Sequence, residues 1–283
     1  MMTNKWSMQP LPEMDESQFE QWQALLESRT GMRVTEQRKT FLQTSVGMRM
    51  RELGLSDYQN YYNRVSQHPP GGMEWTLLVD RLTVQETSFF RHQASFDRVQ
   101  RFLAERSDKG GTIEIWSVGC STGEEPYSLA MLAQETLQDS GCYFGISATD
   151  ISAPALAKAR QGIYSDRKVE ALPRERAEQF FTPLEKGRYQ VVSQLRDRVC
   201  FSQVNVLELS KTPMHGMDLI YCQNLLIYFR RWRRKEILNR LAERLAPGGL
   251  LVVGLGEVVD WSHPDLERDR DPATLAFRKR VSG

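Results

Sequence analysis

No apolar run in this 283-residue chain approaches the roughly 20 residues that a helix needs to cross a bilayer, so a helical membrane protein is not expected. Cysteine is scarce and unpatterned. Cys120, Cys142, Cys200 and Cys222 form no CxxC pair and have no histidines at ligand spacing, so neither a metal site nor a disulfide framework is expected. They read instead as small buried hydrophobes. An excess of one charge is missing too: 37 Lys and Arg stand against 36 Asp and Glu, for a net charge of +1. Backbone binding to nucleic acid normally shows as a basic excess, so no nucleic-acid partner is expected. The chain has neither internal repeats nor low-complexity tracts. Residues 1–17 contain two prolines and no continuous apolar stretch of the kind a secretory signal requires, which points to the cytoplasm.

What is present is ordinary for a globular protein, with 40% hydrophobic and 26% charged residues. Over residues 19–81 apolar positions recur at helical steps, as in Phe19, Trp22, Leu25 and Leu26, then Leu42, Val46, Met50 and Leu53. Gly31, Gly54 and the run 68–72 punctuate this region, and Ser56 and Asp57 read as an N-cap before Tyr58. A helical domain over residues 1–84 follows. A transitional helix at 95–105 leads into short apolar strands that alternate with helices. IEIWSV (113–118), CYFGISATD (142–150), MDLIYC (217–222) and LLVVGL are the strands, with helices from Pro126, Ala153 and Arg231. Such alternation implies an α/β domain over residues 85–283, built on a parallel sheet covered on both faces. Between 164 and 203 the alternation breaks, and RYQVV and RVCFSQV suggest a small antiparallel β insertion.

The strongest local signal is WSVGCSTGEEPYSLAML (116–132). Gly119 and Gly123 stand where a buried strand must turn into a helix, the place where open parallel sheets bind ligands. The spacing is not GxGxxG and no GKS or GKT follows, so a phosphate site is poorly supported. Glu124 and Glu125 would repel a pyrophosphate and suit a cationic ligand, or else complement the helix dipole at its first turn. Asp150 ends the second strand, 27 residues past Gly123, where an acid commonly holds a ribose diol; its other role would be to cap the next helix. LTVQETSFFRH (82–92) and IYCQNLLIYFRR (220–231) flank this region, the latter placing Asn224 and Tyr228 beyond a central strand. Phe89, Phe90 and Phe229 read as core rather than cofactor contacts.

Taken in order, LTVQETSFFR, GCSTGEEPYSLA, ATDIS, VNVLE and CQNLLIYF resemble the CheR family of chemoreceptor glutamate methyltransferases. The wording of the first two motifs is closest to the PilK branch, which serves chemosensory systems controlling type IV pili. The resemblance implies the methyltransferase (Rossmann-like) fold, a seven-stranded sheet behind a helical domain, with S-adenosylmethionine (AdoMet) as cofactor and no metal. It implies cofactor contacts at Gln85, Thr87, Arg91, Gly119, Glu125, Asp150, Asn205, Val206, Gln223 and Asn224. Asn205 and Val206 would meet the adenine, Asp150 the ribose and Glu125 the methionine amino group. Arg91 and Tyr228 match the positions nearest the transferred methyl. Two departures stand out: most relatives have asparagine at Gln85 and arginine at Gln223. The extra methylene of Gln85 shifts its reach, and Gln223 removes a fixed positive charge.

The implied substrate is a set of glutamates in the cytoplasmic helical domain of a methyl-accepting chemoreceptor, and the enzyme is expected to be a monomer. Residues 29–51 carry six basic residues against Glu36, and Arg38 and Arg49, about three helical turns apart, would face one side and dock an acidic helix. The bland alternative is a solvated face. A second cluster, Arg230, Arg231, Arg233, Arg234 and Lys235, opens a helix where positive charge opposes the dipole. The short EKGRYQVV segment implies recognition without a receptor tether. Competing readings are a methyltransferase for a small molecule or RNA, and a module that binds AdoMet without turnover.

Overall fold

The computed structural model describes residues 12–67, 69, 72–108 and 110–281. The chain divides into two compact units, Met1–Thr83 and Val84–Gly283.

The first unit packs four helices: α1 (Glu16–Thr30), α2 (Lys39–Glu52), α3 (Tyr58–Gln67) and α4 (Met73–Leu82). Asp15 and Gln18 form a capping box at the start of α1, and Gly31 ends it in the left-handed region. At α3 the Asp57 carboxylate accepts the backbone N–H of Asn60 at 3.0 Å, the capping role its sequence position implied. Trp22, fully buried, packs against Tyr61 and Tyr62 with ring centroids 5.5 and 5.4 Å apart. Several charges expected on the surface hold this unit together. Arg29 closes the end of α3 by donating to the carbonyls of Val65 and Ser66. Arg49 grips the buried Glu74 through two N–H donors at 2.9 and 2.8 Å, and the Tyr61 hydroxyl donates to the same carboxylate at 2.7 Å.

The second unit opens with α5 (Gln93–Ser107), then alternates β1 (Thr112–Val118), α6 (Glu124–Leu137), β2 (Tyr143–Asp150) and α7 (Ala153–Gln161). A small region follows: β3 (Ile163–Ser165), α8 (Asp166–Val169), α9 (Arg174–Phe180), β4 (Phe181–Leu184), β5 (Arg188–Val191) and α10 (Ser193–Arg196). The chain then returns through β6 (Val199–Gln203), β7 (Met217–Cys222), α11 (Arg231–Arg244), β8 (Leu245–Val253), β9 (Leu266–Arg268) and β10 (Leu275–Lys279). The main sheet has seven strands in the order β6-β2-β1-β7-β8-β10-β9. Its first five strands are parallel, and β10 pairs antiparallel with β8 and with β9. Every residue of β7 is buried, as a central parallel strand covered on both faces demands.

The insertion is smaller than the sequence pattern implied. A three-stranded antiparallel sheet, β3-β5-β4, spans residues 163–191. RVCFSQV does not belong to it: β6 is the edge of the main sheet, parallel to β2. Its alternating burial gives an edge strand the same period-two pattern as a hairpin strand. That placement also corrects the reading of the cysteines, since Cys200 is exposed on this edge and Cys142 half-buried, while Cys120 and Cys222 are buried.

Candidate active site

The strand order reverses direction between β1 and β7, and the loops at their carboxyl ends bound a cleft of about 250 Å³. Gly119, with φ of +81°, lets the chain leave β1 at a sharp angle. The amides of Gly119 and Cys120 both donate to the Thr149 carbonyl, which stitches this turn to the end of β2. Gly123, with φ of +98°, begins α6 where a Cβ would lie 2.8 Å from the Tyr164 hydroxyl and 2.9 Å from the Ala159 methyl.

Thr87, Arg91, Gly119, Glu125, Gln223, Asn224 and Tyr228 all line this one cleft. Gln85, Asp150, Asn205 and Val206 do not line it. Asp150 adjoins it, because its Oδ2 accepts the backbone N–H of the lining residue Ser121 at 2.8 Å, while Oδ1 accepts that of Ser152. The helix-capping alternative for Asp150 thus goes to Ser152, whose hydroxyl accepts from Ala155. Asn205 stands one strand further out: Val204 donates to the Asp150 carbonyl, and the Asn205 side chain accepts from Leu207 to start a 3₁₀ turn.

The two adjacent glutamates separate completely. Glu124 is fully buried, turned to Lys168 and to the Thr122 hydroxyl, and is absent from the cleft. Glu125 faces the cleft and accepts the Ser117 hydroxyl at 2.7 Å. Desolvation pushes its carboxyl up to about 8, against the lowering effect of the Ser117 bond, and the neighbouring charge of Glu257 adds to the rise. Opposite stands Arg91, exposed, with one guanidinium N–H on the Glu86 carbonyl at 2.8 Å. Gln223 is buried and donates to the Ser95 hydroxyl at 2.7 Å, which ties the end of β7 to the start of α5.

Some cleft residues escaped the sequence reading. Tyr221 and Ser121 line the cleft with buried hydroxyl oxygens that have no partner among the described residues. Tyr221 lies inside an unbroken apolar strand, where an aromatic reads as core. Val84 and Ile227 form an exposed apolar rim. The aromatic expectations hold in the main, since Phe89 and Phe229 are buried in the core and Phe90 is half-buried against Phe96.

The two arginines of the docking pair in the helical unit are held differently. Arg38 precedes α2 as the last residue of a 3₁₀ turn, and its guanidinium lies over Phe41, whereas Arg49 sits inside α2 and is held by Glu74 and Glu52. The charge of Arg49 is matched within the unit. In the second basic cluster, Arg231 pairs with Asp260 and Arg233 with Glu236, and Arg234 donates to the carbonyls of Phe229, Glu257 and Ile227.

Residues 17–83 match the family described as CheR methyltransferase, all-alpha domain, and residues 85–273 match CheR methyltransferase, SAM binding domain. The chain belongs to the CheR methyltransferase family. The chemotaxis protein methyltransferase of Escherichia coli K12 is 32% identical over 258 residues, covering 90% of this chain and 87% of that protein. Chemotaxis protein methyltransferase 2 of Pseudomonas aeruginosa is 32% identical over 242 residues, covering 84% and 85%. Chemotaxis protein methyltransferase 2 of Vibrio cholerae is 34% identical over 215 residues, covering 74% and 75%. AdoMet is the cofactor of this CheR fold, and the cleft fits it. The half-buried Glu125 carboxylate suits the cationic amino-acid end, and two orphaned hydroxyls offer hydrogen bonds that nothing else in the described protein takes up.

Proposed function

We propose that this protein methylates glutamate side chains in the cytoplasmic helical domain of a chemosensory receptor, yielding glutamate methyl ester and S-adenosylhomocysteine (AdoHcy). The observation that carries this reading is the arrangement of a half-buried acid, Glu125, and an exposed cation, Arg91, in one cleft of a CheR fold. AdoMet, when bound, supplies a methyl group on a sulfonium. Thr87, Gly119, Glu125, Gln223 and Asn224 would hold its amino-acid end, Asp150 the ribose, and Asn205 and Val206 the adenine, with Gln85 at the edge. The acceptor carboxylate is ionised at neutral pH and requires no general base. Alignment therefore dominates, and well-oriented reactants gain about 7 to 11 kcal/mol in the best cases. Arg91 orients the incoming carboxylate through a charge-assisted contact, and Tyr228 fixes the face across from it.

The receptor's acidic helix fits a basic surface on the helical unit. Arg38 and Arg49 mark that surface, with Arg49 held in place by Glu74 and Glu52. Residues 185–187 alone join β4 to β5, which supports recognition without a receptor tether. The motif wording favours a pilus-controlling pathway in the cytoplasm. Among the described residues no helix is long and apolar enough to cross a membrane. Incubating the protein with methyl-labelled AdoMet and receptor-bearing membranes tests the function. Base-labile label on the receptor is expected; AdoMet binding with no label on any receptor refutes it. Arg91→Ala should abolish labelling while AdoHcy still binds.

A further inference from the structure

Glu257 lies in the loop after β8, 3% exposed, and belongs to no motif recognised in the sequence. Its carboxylate packs on Gly254 so closely that a Cβ there would sit 2.6 Å from its carboxyl carbon. The backbone N–H groups of Leu226, Asn224 and Gly254 face its carboxylate and favour its charged form, and its Oε2 has no hydrogen-bond partner among the described residues. Asn224 adopts φ of +58°, in the left-handed region that a non-glycine residue rarely takes without support. From the other side Arg234 donates to the carbonyls of Ile227, Phe229 and Glu257 itself. Residues 223–229 are therefore held between an acceptor that takes their N–H groups and a donor that takes their carbonyls.

We propose that Glu257 is a positioning residue: with Arg234 it clamps the turn at the end of β7 and so fixes Gln223, Asn224 and Tyr228 at the wall of the cleft. The role rests on the reading of that cleft as the AdoMet site. Glu257 does not line the cleft. Its effect is conveyed through the backbone of the turn. Alanine at this position removes the acceptor altogether, whereas glutamine, with its carbonyl oxygen at Oε1 and its NH₂ at the partnerless Oε2, keeps an acceptor for the turn.

The test combines hydrogen exchange with AdoHcy binding on the full chain. Glu257→Ala should speed exchange of the Asn224 and Leu226 amides at least tenfold while strand β1 amides keep their protection. It should also weaken AdoHcy about tenfold, and raise the KM for AdoMet more than it lowers kcat. If Glu257→Ala does not fold, Arg234→Gln probes the same clamp from its donor side, with the same pattern expected. Unchanged exchange at Asn224 and Leu226, or unchanged AdoHcy affinity in a variant whose turn has loosened, overturns the proposal. Wild-type protein that binds no AdoHcy, while Glu257→Ala still loosens the turn, overturns the cofactor reading and leaves the clamp in place.

Discussion

Glu125 makes cofactor binding a proton-linked event whose size follows from the structure. Its carboxyl is raised to about 8 because it is withdrawn from water with no cation in direct contact, so at pH 7 the ligand-free protein carries it mostly protonated. Seating an ammonium beside it favours the carboxylate. Deprotonating a group of pKa near 8 at pH 7 costs about 1.4 kcal/mol, a factor of ten in affinity. If the ammonium returns the carboxyl to the ordinary carboxylate range, binding releases about 0.9 proton at pH 7. AdoHcy is the suitable probe, since it carries the same amino-acid group without turnover. Its binding enthalpy, measured by calorimetry at pH 7 in phosphate and in Tris, should differ by about 0.9 times the difference in buffer ionisation enthalpy. Between pH 5.5 and 7.5 its affinity should rise by about tenfold per pH unit. Glu125→Gln should bind weakly and lose most of both dependences. Equal enthalpies in the two buffers, together with an affinity flat across this range, would show that Glu125 is not the group facing the ammonium.

The same carboxyls affect stability in the opposite sense. Glu125 and Glu257 are raised to about 8 and about 7, above the unfolded value near 4.3, so their contribution is complete below that value and is lost as pH rises through 7 and 8. Ligand-free protein should melt at a lower temperature at pH 8 than at pH 5.5, and saturating AdoHcy should shrink the difference. Arg49→Ala strands Glu74, which is 8% exposed, and should destabilise the helical unit by about 3 kcal/mol in urea unfolding; less than 1 kcal/mol would refute the buried-pair account. Arg38→Glu should weaken receptor binding in a salt-dependent way, and binding that is unchanged at low salt would refute the docking role. Gly123→Ala forces a Cβ toward Tyr164 and Ala159 at a left-handed position and should cost about 1 to 3 kcal/mol in thermal unfolding.

The elements readable from sequence were those whose burial leaves a one-dimensional trace. β7 is buried along its whole length, β1 and β2 show apolar residues at their buried positions, and the glycines that end β1 mark the turn into α6. Asp57 was readable because a cap acts over three residues. Interactions across long separations leave no such trace. Arg49 looked like a free docking charge because its partner Glu74 lies 25 residues away. The division of labour between Glu124 and Glu125 depends on a lysine 44 residues downstream, and Glu257 gains its role only when the loop after β8 folds under the end of β7. β6 was misassigned because strand pairing, unlike strand formation, is decided elsewhere in the chain.

Backbone strain shows how the cleft is kept in shape. Phe90, Ser121 and Asn224 are non-glycine residues with φ between +48° and +58°, and each lies in a segment bordering the cleft. Such conformations cost on the order of 1–3 kcal/mol and persist only where the surroundings over-determine them. Each of the three has its backbone N–H facing a side chain from another element. Ser128 on α6 accepts from Phe90, Asp150 at the end of β2 accepts from Ser121, and the Glu257 carboxylate beyond β8 lies against the N–H of Asn224, which favours its charged form. Three loops from different parts of the chain are thus fixed by acceptors that the core holds in place. Because the acceptors are set by the fold and not by the loops themselves, the cleft wall is preorganised before any ligand arrives, and binding need not supply the ordering.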